Sequence, residues 1–305
     1  MTTSTMADSP ERRPPAEQAP AEQARAEQAR AFCRAFMCSA MHAPLFAHLR
    51  GALGLSDDDV EQAYVQYAFQ SYLSGNEIYA TAAIHVAMLI EYLTPGSIHD
   101  DRQELVVSQL VRLRPRRIAD VGFGAPTRYL SDYVLRDPGV SVLMLDKFPG
   151  ALDVGRALLG FMTATSSGAA AGHFAAPGSA LHGSGAVPGQ VQFALHDMDR
   201  DPCPAGFDCY LFQDAIEHAA EPTRYLHQAV AAASAGAALL FQIPLGPIIP
   251  SHFIAWPDAA AAVDWLEAAG LAVEFTRTLV PNPVVDWFAA DGASMQNLFV
   301  VARRT

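Results

Sequence analysis

The sequence predicts an α/β fold: a seven-stranded, mostly parallel sheet with helices on both faces, preceded by a helical subdomain. Three observations carry this. From Arg117 onward, short apolar runs alternate with helical segments, the pattern of parallel strands joined by crossover helices. Between about Ala31 and Leu113 the apolar residues instead recur at helical spacing. With 51% apolar residues among 305, the chain can bury one large core.

Residues 1–30 read as a low-complexity tail, disordered or a frayed, solvated helix, because Ala-Glu-Gln-Ala-Arg repeats there without an apolar stripe. Residues 31–113 form the expected helical subdomain, a cover or dimerisation element. In it, Phe32, Phe36, Met37, Met41 and Phe46 recur at helical spacing. Ser56 offers an N-cap ahead of Asp57, Asp58 and Asp59, acids suited to a first helical turn. Tyr64, Tyr67, Ala68 and Tyr72 then share a face. Ala80–Leu93 is nearly apolar, which predicts a fully buried helix, stopped by Pro95-Gly96. Another helix is expected from near His99 through Leu110.

Strands are expected at Arg117–Val121, Val140–Leu145, Val191–Leu195, Phe207–Phe212, Ala237–Gln242, Ala272–Thr278 and Leu298–Ala302, all within a domain spanning 114–305. The Gly, Ala and Ser-rich stretch at about 163–190 reads as a long loop inserted before the third strand.

The net charge of −12 and pI near 5.2 oppose nucleic-acid binding, which phosphate neutralisation drives. The basic run from Arg112 to Arg117 is short and reads as a solvated approach to a strand. Cys33, Cys38, Cys203 and Cys209 have no C-x-x-C spacing and no completing His pair, so no metal site is expected. Neutral thiols fit a reducing compartment. No apolar run is long enough to span a bilayer, and the N-terminus lacks the apolar core of a secretory signal. A cytoplasmic protein without membrane partners is the expectation.

Chemistry concentrates in three places. In Ile118-Ala119-Asp120-Val121-Gly122-Phe123-Gly124-Ala125-Pro126-Thr127 an apolar strand ends in an acid and two glycines, then opens a helix. Such glycines permit a tight turn and close ligand approach, and the helix start presents free N–H groups. Alone, a G-x-G loop fits several nucleotides. Asp146 ends the second strand, where an acid accepts hydrogen bonds from ribose hydroxyls. Third come His196-Asp197-Met198 after the third strand and the run from Phe207-Asp208 to Gln213-Asp214-Ala215-Ile216-Glu217-His218.

Together these residues resemble the class I (Rossmann-like) S-adenosylmethionine (SAM)-dependent methyltransferases over about Arg114 to Arg304. Asp120–Gly124 resembles that family's first motif, Asp146 its ribose acid, Asp197-Met198 its adenine contacts, and Phe207–His218 its fourth-strand motif. Asp264–Leu271 and Leu298–Ala302 resemble its C-terminal features. The resemblance implies SAM as cofactor, held by Asp120, Gly122, Phe123, Gly124, Asp146, Lys147, Asp197, Met198 and Gln213. Two departures stand out: Pro126 replaces the third loop glycine of many members, and the Gly/Ala insertion is long. A dinucleotide dehydrogenase is the nearest rival. It is disfavoured because Thr127 falls where Gly or Ala is wanted and Asp120 would face a pyrophosphate.

The reading predicts a methyltransferase acting on a small molecule. The alternatives are a protein-directed enzyme recruited by the tail, or a non-catalytic SAM-binding scaffold. The acceptor is expected to be amino-acid-like: S-methylation of methionine and N-methylation of an arginine-like compound both suit the residues. A base is needed only for acceptors that lose a proton, and His218 and Asp214 are the catalytic candidates. Tyr72, Tyr79, His252 and Trp256 are candidates for binding the substrate, with Asn76 and Glu77 beside them. An aromatic there can wrap a cation, although Trp256 equally suits anchoring the next helix. A homodimer through the N-terminal helices is also expected.

Overall fold

The computed structural model describes residues 15–70, 75–125, 128–166, 190–282 and 296–304. Its strands are β1 (Arg117–Val121), β2 (Ser141–Asp146), β3 (Val191–Leu195), β4 (Cys209–Gln213), β5 (Ala238–Leu245), β6 (Leu271–Leu279) and β7 (Gln296–Arg304). They form one sheet in the order β3-β2-β1-β4-β5-β7-β6. Only β7 runs antiparallel to its neighbours, β5 and β6. The seven strands fall where the apolar runs predict them. Every residue of β4 and β5 is buried, as expected of central strands covered on both faces. The chain steps outward from β1 through β2 to β3, then returns to place β4 on the other side of β1. That reversal opens a crevice at the carboxyl ends of β1 and β4, where open sheets of this kind bind ligands.

The N-terminal helices are α1 (Pro15–Met37), α2 (Ala43–Leu53), α3 (Asp57–Gln70), α4 (Ala82–Leu93) and α5 (Ile98–Leu113). Ser56 and Asp59 close a capping box: the Ser56 hydroxyl accepts from Asp59 N (3.2 Å) and Ser56 N donates to the Asp59 carboxylate (2.8 Å). Ser97 caps α5 by accepting from Asp100 N at 3.1 Å. In α4, residues 84–92 are all buried, the outcome its composition predicts.

The tail takes the helical one of its two expected forms, and among residues 23–30 only Ala29 is buried. Residues 1–14 lie outside the described residues, but α1 already begins at Pro15. Ala29, Cys33 and Met37 form a buried stripe four residues apart. The stripe is hard to see in the sequence because it starts on small residues inside the repeat. Arg34 makes a two-pronged pair with Glu61 (2.7 and 2.6 Å) and fastens α1 to α3.

The remaining helices are α6 (Arg128–Asp132), α7 (Pro149–Ser166), α8 (Pro222–Ala232) and α9 (Ala259–Ala268). Of the expected 163–190 loop, 163–166 complete α7, 167–189 lie outside the described residues, and Gln190 is buried. One hydrophobic core runs from Phe46, Tyr64 and Met88 into Val142, Leu240 and Phe299, so the N-terminal helices share the core of one sheet face. The other face buries Phe212, Tyr225, Phe241, Trp256 and Leu266 against α8 and α9. No helix among the described residues is long and apolar enough to cross a membrane.

Candidate active site

A cleft of about 1260 Å³, its open mouth included, lies at the carboxyl ends of β1, β2 and β4 beneath α4 and α5. Its floor begins with the loop after β1. Gly122 and Gly124 hold φ of +69° and +57°, a region that favours glycine. A Cβ on Gly122 would sit 2.6 Å from the Ala215 Cβ, and one on Gly124 would sit 3.2 Å from the Met88 Cε. Both glycines line the cleft. Phe123 between them does not: it is 1% exposed and packs edge-on against Phe193 at 6.0 Å, so its side chain serves the core.

Asp146 reaches the cleft from the end of β2. Its oxygens accept from Phe148 N (2.9 Å) and Gly124 N (3.3 Å), which ties the second strand to the glycine loop. Burial pushes its pKa up, and the neighbouring His85 opposes that shift. A carboxylate has about four acceptor sites, so two remain for hydroxyl donors. Lys147, Asp197, Met198 and Gln213 line the same cleft.

Asp120 is placed differently from expectation. It is fully buried behind the loop and does not line the cleft. Its carboxylate accepts from Tyr129 Oη and from Gln213 Nε2 (3.2 Å), and Gln213 in turn accepts from Gln103 Nε2 (3.0 Å). Burial raises the Asp120 pKa to about 7 against the pull of these hydrogen bonds. Its chemistry is therefore to hold β1, β4 and α6 in register beneath the loop.

The acceptor side is built from the β4 end and the β5 loop. Asp214 has φ +48°, rare outside glycine and seen where surrounding structure imposes it. Its carboxylate pairs with Arg102 Nη1 and accepts from Asn297 Nδ2 at 2.6 Å. Those partners make it an anchor rather than a free base. Arg102 is 2% exposed, donates to Gln242 Oε1 (2.8 Å), and has no hydrogen-bond partner for Nη2 among the described residues.

His218 lines the cleft and shares a hydrogen bond between Nδ1 and Ser251 O at 2.9 Å. A carbonyl only accepts, so the proton sits on Nδ1 and Nε2 keeps a bare lone pair. Burial lowers its pKa, so the ring is neutral at pH 7. His252 stands edge-on to His218 at 4.8 Å, and burial and His218 lower its pKa to about 3. Tyr79 completes this wall 5.9 Å from the His218 ring. Asn76 lines the cleft, whereas Glu77 points away and is exposed.

Two substrate candidates fall elsewhere. Tyr72 lies outside the described residues. Trp256 is 2% exposed, bridges Leu245 through its backbone and packs 4.9 Å from Trp265, so it anchors α9 to β5 rather than reaching the cleft. Conversely, sequence reasoning leaves His85, Tyr92, Arg102 and Glu217 without roles, yet all line the cleft. Their one available signal is a polar residue set within a buried apolar helix or strand end.

No family model matches the chain, and no curated protein matches it. Among solved structures it is similar to an O-methyltransferase family protein from Burkholderia thailandensis, with 16% identity and a TM-score of 0.52 over 81% of this chain and 71% of that one. It is more distantly similar to the N-methyltransferase NodS from Bradyrhizobium japonicum WM9, solved with S-adenosylhomocysteine (13% identity, TM-score 0.42, 70% and 90% covered). It is likewise similar to the 4+2 cyclase SpnF (16%, 0.45, 68% and 80%). The chain thus shares its fold with that O-methyltransferase family protein, and its own helices α4 and α5 lie over the carboxyl edge of the sheet.

Proposed function

We propose that this chain is a SAM-dependent methyltransferase acting on a small molecule enclosed between the sheet edge and helices α4 and α5. The observation that carries the reading is convergence: the Gly122–Gly124 loop, Asp146, Asp197-Met198 and Gln213, from four strand ends, line one cleft.

The residues fit SAM. The two glycines leave space for close backbone approach, and Asp146 retains acceptor sites for ribose hydroxyls. The unpartnered Nη2 of buried Arg102 suits the carboxylate of an amino-acid moiety. Asp146, Asp197, Asp199 and Asp214 outnumber Lys147 and Arg102 around the cleft, a balance that favours a sulfonium cation. When bound, SAM supplies an electrophilic methyl carbon.

The protein's part is then alignment and exclusion of water. Tyr79, Tyr92 and Met88 roof the cleft and keep it apolar on that side. His218, fixed by Ser251, aims a lone pair at the acceptor end. A concave cleft roofed by helices suits a metabolite rather than a polymer.

Titration calorimetry with SAM is the first test. Binding that falls at least tenfold in Asp146→Ala supports the reading, and no binding to the wild type overturns it. Incubation with methyl-labelled SAM and a metabolite extract, read by mass spectrometry, then separates an enzyme from a SAM-binding scaffold.

A further inference from the structure

Glu217 is the most anomalous group in the cleft. It is 0% exposed, and neither carboxyl oxygen has a hydrogen-bond partner among the described residues. Buried carboxyls are ordinarily paired or ligate a cation, because an isolated one loses all its hydration for nothing. The donor atoms of Glu217, His218 and His252 all lie within 4.8 Å of one another. We propose that these three residues bind one divalent transition-metal ion of the zinc type, at the acceptor end of the cleft.

Three features support this. Two imidazoles and one carboxylate are a ligand set that suits zinc and its first-row neighbours, and three protein ligands leave a coordination position open to substrate. The His218 Nδ1–H is held by the Ser251 carbonyl, the kind of outer hydrogen bond that orients a ligating imidazole and leaves Nε2 as its ligand atom. The two segments that carry the ligands are stitched together, since Phe253 N donates to Glu217 O at 2.8 Å. Ligand atoms of a tetrahedral zinc shell sit about 3.4 Å apart, given bonds near 2.1 Å. The present spread of up to 4.8 Å exceeds that by about 1.4 Å.

The site's place gives the ion a use, and that use rests on the methyltransferase reading. An acceptor hydroxyl coordinated at the open position becomes more acidic. Its proton leaves to water, its oxygen bonds the methyl carbon, and the carbon–sulfur electron pair returns to sulfur, which becomes a neutral thioether. The acceptor class is therefore an oxygen compound able to reach a metal, such as a phenol, a catechol or a hydroxy acid. This differs from the amino-acid-like acceptors the sequence suggests.

The test uses full-length protein, free of affinity tag and stripped with chelator, in a Cys38→Ser background that removes the exposed thiol. Zn2+ is titrated by calorimetry, and Co2+ serves as an absorbing probe. One ion per chain is expected, with visible Co2+ bands of a four- or five-coordinate site. Glu217→Gln and His252→Ala should each weaken Zn2+ at least about tenfold, while circular dichroism and SAM affinity stay unchanged. Zinc binding unaltered in both variants, or absent from the parent, overturns the site. SAM titrated in the same samples keeps the two readings apart: zinc without SAM sinks the methyltransferase reading alone, and SAM without zinc sinks the metal alone.

Discussion

Gln213 at the end of β4 donates its side-chain amide to Asp120 near the end of the glycine-loop strand, 3.2 Å away and 93 positions distant in sequence. This bond, with Tyr129 on the other flank, encloses a carboxyl whose pKa burial raises to about 7. The unfolded chain holds that group near 3.9. The folded state thus binds the proton more tightly, so its contribution to stability is complete below about pH 4 and is lost as pH rises through 7. Urea denaturation of wild type and Asp120→Asn between pH 4 and 8 checks this. The wild type should lose about 1 kcal/mol per pH unit relative to the variant within that window. A pH-independent difference would show that the carboxyl is ionised throughout.

The two loop glycines should respond unequally to alanine. Both pay a left-handed backbone strain of order 1 kcal/mol. At Gly122 the new methyl also meets the Ala215 Cβ at 2.6 Å, a contact no flexible side chain can relieve. At Gly124 it meets only the end of Met88, which can swing away. Gly122→Ala is expected to lower stability by about 2–4 kcal/mol and abolish SAM binding. Gly124→Ala should cost about 1 kcal/mol and weaken SAM several-fold. Thermal melts and calorimetry on both variants would settle the order, and equal effects would contradict the geometry.

The strands were legible because they are apolar runs bounded by turn residues, whereas their order in the sheet comes from the structure. Cleft residues near those motifs were legible for the same reason. Arg102 and His85 were not. Each sits in a helix, and its role depends on a partner far along the chain; Gln242 lies 140 positions from Arg102. Glu217 was visible only as part of a motif, since burial without a partner is a property of tertiary packing. Phe123 was misplaced and Trp256 left between two roles because local sequence does not say which side of a loop a ring takes. Packing against Phe193 decides the first, and the bridge to Leu245 decides the second.

Trp256 yields a prediction opposite to that of a pocket residue. Its ring fills core between β5 and α9 against Trp265. Trp256→Ala should therefore destabilise by about 3–5 kcal/mol, read by chemical denaturation. Trp256→Phe, which keeps most of the ring volume, should retain SAM affinity and, once an acceptor is known, its KM. A raised KM with unchanged stability would return Trp256 to the binding site.

Arg102 joins the helical cover to the sheet. It is buried, pairs with Asp214 and donates to Gln242, so one side chain of α5 reaches the ends of both β4 and β5. Removing one partner of a buried pair leaves the other charge uncompensated, at a typical cost of about 3–5 kcal/mol. Arg102→Met should show that loss in urea denaturation. It should also weaken SAM, because its unpartnered Nη2 is a donor available to a carboxylate. Adding Asp214→Asn removes the stranded charge and should recover part of the stability without recovering SAM affinity. Recovery of both would mean that Arg102 acts only through Asp214. Recovery of neither would mean that Gln242 and the Tyr92 ring, 6.0 Å from the guanidinium, are its principal partners.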